Sequence, residues 1–294
     1  MLLSYGLAIA YALFLWWFST GLILYLDGLP ARTYRWSLLG ATLLMAASML
    51  TLFLVRGHAD VPGAYLGFTS GLLIWGWLEM TYFMGFITGP RKADCPEGCG
   101  NWRRFALALQ TSLWHELLLL ALAALMVTLT WEAPNQVGTW TFVILWWMRW
   151  SAKLNLFFGV PNLNEEWLPD HVRFVTSYLH KRPMNLLFPV SVSVATVVMS
   201  LLVEAALDLP SASFAGIALI LTATLLALAI LEHWFLVLPL EDGALWNWAL
   251  GARARAEARS LRREGHEPGA SGGSRGDADG GSGGALPGRA LDGG

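Results

Sequence analysis

Charge is scarce in this chain. Of its 294 residues only 14% are Asp, Glu, Lys or Arg, where a soluble domain carries about a quarter. That argues against an ordinary water-soluble globule. No nucleic-acid partner is expected. Cysteine is nearly absent. Cys95 and Cys99 are the only two, too few for a disulfide framework or a four-thiolate metal site. They are read as a plain loop feature. No basic residue precedes the first apolar run and no convincing cleavage site follows it, so residues 2–26 are read as a retained span. No internal repeat stands out, which weighs against a transporter built from inverted halves.

Apolar sequence is abundant instead. Hydrophobic residues make up 55% of the chain, and there are 16 tryptophans, a residue that favours the membrane interface. The apolar runs have the roughly 20 residues a helix needs to cross hydrocarbon. Helices satisfy their own backbone hydrogen bonds there. Spans are expected at 2–26, 36–55, 64–88, 105–131, 137–158, 186–207 and 212–240. Of the 19 Lys and Arg, 16 fall in the first, third and fifth connections and the tail. The positive-inside rule places those segments in the cytoplasm. The expectation is an all-α polytopic integral membrane bundle of about seven transmembrane helices, amino terminus periplasmic and carboxyl terminus cytoplasmic. Residues 1–250 form the helical domain. Residues 251–264, with five arginines, read as a basic amphipathic segment on anionic lipid. The Gly-rich residues 265–294 read as a disordered tail.

Ionisable residues inside apolar spans are costly, about 2.5–3.5 kcal/mol each at mid-helix, and mark functional sites by default. They are Glu79, His115, Glu116, Arg149, Lys153, Glu232 and His233. Counted along their helices, Glu79, His115, Arg149 and Glu232 each lie roughly 12–15 Å from the cytoplasmic boundary. Four helices therefore present charge at one level. One reading is structural: Glu79 pairs with Arg149, and Glu116 or Glu232 with Lys153. The other is a ligand site, where a neutral imidazole meets a metal or a tetrapyrrole. His115, with Thr111 on its face and Ser112 close by, is the first candidate for an axial ligand; His233 is the second. A carboxylate di-iron bundle uses Glu-x-x-His on two helices. The adjacent pairs His115-Glu116 and Glu232-His233 depart from that spacing. The stretch into the fifth connection, Lys153 to His171, carries three asparagines, two prolines and the acidic pair Glu165-Glu166, and reads as a defined loop for docking or as a helix start at Asp170.

Several stretches carry a resemblance. Phe14-Leu15-Trp16-Trp17-Phe18-Ser19-Thr20-Gly21, Leu26-Asp27-Gly28-Leu29-Pro30, Trp114-His115-Glu116-Leu117, Ser151 to Asn162 and Leu168-Pro169-Asp170-His171 together resemble the PuhE family, also called photosynthetic complex assembly protein 2, over residues 1 to about 250. The resemblance implies a multi-pass protein of the cytoplasmic or intracytoplasmic membrane of purple phototrophic bacteria. It implies work with reaction-centre and core light-harvesting subunits or their assembly factors, through assembly itself or through bacteriochlorophyll supply. A Mg-tetrapyrrole such as bacteriochlorophyll is the cofactor it suggests. It implies no reaction. The expected function is a non-enzymatic assembly factor. The alternatives are a metal-dependent oxidoreductase acting on a tetrapyrrole precursor or quinone, and a transporter.

Overall fold

The computed structural model describes residues 2–163, 168–210, 212–239, 245–249 and 251. The expected basic segment 251–264 and tail 265–294 lie outside them, apart from residue 251. Among the described residues the regular structure is all helical but for one isolated parallel bridge, Val160 to Lys181. Its helices are α1 (Leu2–Asp27), α2 (Tyr34–Val55), α3 (Val61–Phe83), α4 (Asn101–Gln110), α5 (Leu113–Leu129), α6 (Val137–Phe158), α7 (Leu187–Leu207) and α8 (Phe214–Phe235).

Four helices, α1, α2, α7 and α8, are long and apolar enough to cross a membrane, five if the bent pair α4–α5 is one span. This is fewer than the seven expected. Helices α3 and α6 have comparable lengths, 23 and 22 residues, but are not among these candidates. They pack among other helices, so glycines and charged residues on them meet protein.

Backbone contact explains α3 and α6. Gly67 and Gly71 on α3 face Gly138 on α6; a Cβ at Gly138 would fall 2.6 Å from the Gly67 carbonyl oxygen, and one at Gly71 would fall 3.0 Å from the Thr141 Cβ. Small residues let membrane helices approach until backbones touch. At the same end, Asn135 donates to the Val55, His58 and Gly63 carbonyls at 3.2, 3.3 and 2.9 Å. Arg56 donates to Leu129 O at 3.2 Å. The second and fourth connections are thereby joined. Tyr5, near the start of α1, donates to Ala206 O at the end of α7 at 2.5 Å.

The third and fifth connections are joined at the other end. Arg91 donates to the Tyr178 hydroxyl, which donates in turn to Ala93 O at 2.7 Å. Arg104 contacts His180. In the fifth connection a 3-10 helix runs Asp170–Tyr178, so a helical element does begin at Asp170.

The expected fourth span is not continuous. It breaks at Thr111 and Ser112, and α4 meets α5 at 65°. No proline causes the break. The loop after α3 wedges into it. Gly89 packs against the backbone of Thr111 and Ser112 too closely for a Cβ, and Thr88 O accepts from His115 N at 3.0 Å. The depth of His115 cannot therefore be counted from Phe105 along one axis, which corrects that expectation.

Candidate functional site

The polar residues gather where α3, α5 and α6 meet. Glu79 on α3 pairs with Arg149 on α6. One turn further along α6, Lys153 pairs with Glu116 on α5 and lies 3.5 Å from the Ser112 hydroxyl. Residues four apart on a helix share a face, so α6 sets its two cations against acids from two neighbours. Tyr82, one turn after Glu79, stands between the pairs. Its ring centre is 5.7 Å from the Arg149 guanidinium carbon and 5.8 Å from Lys153 Nζ. Such cation–π contacts strengthen when water is excluded. The ion pairs expected as one of two readings are both present. The choice left open for Lys153 falls to Glu116.

Glu232 on α8 is held differently. Trp16 on α1 donates its indole N–H to Glu232 Oε1 at 2.9 Å. No Lys, Arg or His lies within ion-pair distance of Glu232 among the described residues.

Beside these groups lies a cavity of about 500 Å³. Mostly apolar side chains of α1, α3, α4, α6 and α8 wall it, and the 3-10 helix closes one edge through Val175 and Tyr178. Glu79, Glu116, Arg149, Lys153 and Glu232 all line it. An apolar chamber with a few convergent polar groups is the usual form of a small-molecule site.

The two histidines stand apart from this chamber. His115 is fully buried, with its ring centre 4.9 Å from that of Tyr82. Neither ring nitrogen has a hydrogen-bond partner among the described residues, and the side chain does not line the cavity. His233 Nδ1 lies 2.8 Å from Ala229 O, so the proton sits on Nδ1 and Nε2 accepts from the Ser151 hydroxyl at 2.9 Å. Both nitrogens of His233 are committed within the bundle. In this arrangement neither histidine offers a nitrogen to a macrocycle in the cavity. Glu232 does present an oxygen there, and oxygen is a ligand type that Mg²⁺ accepts. Among the described residues no three His, Cys, Asp or Glu side chains cluster to hold a metal ion alone.

Sequence reading assigned no site role to Tyr82 or Trp16. Tyr82 was reachable, because it lies three residues from Glu79 and so on its face. Trp16 was hidden among the aromatic residues of α1.

Comparison with known proteins adds a family. The model of the family described as "Protein of unknown function (DUF3623)" matches residues 2–257. The chain belongs to that family. It is 38% identical over 244 residues, 81% of this chain and 88% of the relative, to an uncharacterised 30.4 kDa protein in the puhA 5′ region of Rhodobacter capsulatus. No solved structure matches. The DUF3623 match spans every helix described above and ends in the arginine-bearing stretch after α8.

Proposed function

We propose that this chain is a membrane assembly factor for the bacterial photosynthetic reaction centre and its core antenna. The observation that carries the reading is the relative in the puhA 5′ region. The PuhE resemblance points to the same gene neighbourhood and to the reaction-centre H subunit. The cavity gives the reading a physical form. A bacteriochlorophyll or a precursor has an apolar body and a few polar groups, which match apolar walls with a charged floor. Glu232 would meet its metal or an oxygen substituent, and Arg149 and Lys153 its carbonyl groups. The Mg-tetrapyrrole would be cargo held for delivery.

The reading includes a topology of seven spans in the cytoplasmic membrane, with α3, α6 and the bent α4–α5 pair crossing along with α1, α2, α7 and α8. The amino terminus is outside and the carboxyl tail inside. The pairing of the second connection with the fourth, and of the third with the fifth, supports that alternation. Among the described residues the donor set offers a metal-dependent oxidoreductase no cluster of three ligands.

Deletion of the gene in a phototrophic host tests the assembly reading. Near-infrared absorption of membranes and immunoblots of reaction-centre subunits are the readouts. Reaction centre and core antenna should fall severalfold while free pigment is still made. Unchanged complexes would remove the proposal.

A further inference from the structure

The two cysteines lie on the cytoplasmic side of the proposed topology, in the loop between α3 and α4. Cys95 Sγ and Cys99 Sγ are 2.7 Å apart, and both are free thiols of intermediate exposure. Gly98 makes the approach possible. Its φ of +69° turns the chain back on itself, a conformation glycine adopts without steric cost. The loop is also fastened from outside. Cys95 N donates to the Ser177 hydroxyl at 2.9 Å, and Arg91 donates to Asp94 O at 2.8 Å. Tyr178, which holds Ala93 O, is fully buried and lines the cavity. The thiols are thus preset against each other on a segment bolted to one edge of the chamber.

We propose that Cys95 and Cys99 are a redox-active dithiol, oxidised to an intramolecular disulfide by thiol–disulfide exchange with a glutathione-type or protein disulfide. One cysteine thiolate attacks a sulfur of the incoming disulfide. A mixed disulfide forms and the first thiol leaves. The second cysteine then attacks the protein-side sulfur of that mixed disulfide and expels the second thiol. Two protein thiols are oxidised by two electrons and one external disulfide is reduced to two thiols. The two protons lost by the cysteines end on the departing thiols. Intracellular disulfides of this kind are transient and report redox state. Burial first, and then the hydrogen bond to Cys99, pushes the Cys95 thiol above its ordinary range. Exchange requires thiolate, so it should accelerate as pH rises.

The proposal does not depend on the assembly role. The chain has no other cysteine, so label counting is unambiguous. The full-length protein in mild detergent is equilibrated with mixtures of reduced and oxidised glutathione, quenched in acid and labelled with a polyethylene-glycol maleimide. Two labels should give way to none in a single step, with monomeric protein throughout. Cys95→Ser and Cys99→Ser should each end as a glutathione adduct instead, seen by mass. Two labels at every ratio, a stable glutathione adduct on the unaltered protein, or a disulfide-linked dimer would each overturn the proposal. Labelling of intact spheroplasts with an impermeant maleimide reports the side of the membrane separately. Labelling from outside would refute the topology and leave the dithiol chemistry standing.

Discussion

Arg149 on α6 donates to Glu79 Oε2 on α3, yet Arg149 Nε and Glu79 Oε1 have no hydrogen-bond partner among the described residues. Two helices are locked by a charge pair in which each group is only partly satisfied.

That geometry separates breaking the pair from replacing it. Arg149→Met alone strands the Glu79 charge and should cost about 3–5 kcal/mol, while Glu79→Leu with Arg149→Met should cost far less or nothing. Denaturation midpoints of the detergent-solubilised protein, measured for the two single variants and the double, check this. Equal losses in single and double variants would contradict it.

The glycine contact between α3 and α6 makes a second expectation. Gly138→Val would drive a side chain into the Gly67 carbonyl. Overpacking of this kind costs about 1–3 kcal/mol, occasionally more. A lower thermal midpoint should result, whereas Gly40→Val, at a position with open space around it, should leave the midpoint unchanged.

Glu232 should matter for function more than for folding. Glu232→Gln keeps the shape and an acceptor for Trp16, and removes a lining carboxylate that makes no ion pair among the described residues. Protein level should stay near that of the unaltered chain, and reaction-centre accumulation should drop severalfold. Normal accumulation would assign Glu232 to structure alone.

A periplasm-active reporter should be silent at the carboxyl terminus and active when inserted between Trp131 and Pro134. The reverse pattern would invert the proposed topology.

The family match ends at residue 257, and the sequence beyond is Gly-rich with little apolar content. Truncation after Glu264 should therefore leave membrane accumulation unchanged. Loss of the protein would show that the helices depend on residues 265–294.

The limits of the long helices α1, α2, α6 and α7 were legible to within a few residues, because apolar run length is set by hydrocarbon thickness. Helix α6 is the plainest case, expected at 137–158 and found at Val137–Phe158. The break at Thr111 and Ser112 was not legible. Its cause is Gly89 and the Thr88 carbonyl, more than twenty residues earlier, and nothing local distinguishes it. The Glu79–Arg149 pair was among the readings of the sequence. Helix rotation was not. Rotation decides that Glu232 faces the cavity while its neighbour His233 turns to Ser151. It likewise puts Glu116 on the chamber and His115 behind it. Adjacent residues on a helix point about 100° apart, so a shared depth does not give a shared face.

The contacts of α1 bear on how the protein is made. Tyr5 reaches Ala206, Trp16 reaches Glu232 and Trp17 reaches Leu245, across sequence separations of 201, 216 and 228 residues. Chains emerge from the ribosome amino end first, at about 5–20 residues per second. The first helix delivered to the bilayer must therefore wait at least ten seconds or so for α8. Through that interval its Trp16 indole has no Glu232 to meet, and the groove it will fill is absent. A nascent chain stalled before α8 would offer an unsatisfied α1 to quality-control proteases, and degradation should be most acute for chains that end before Phe214.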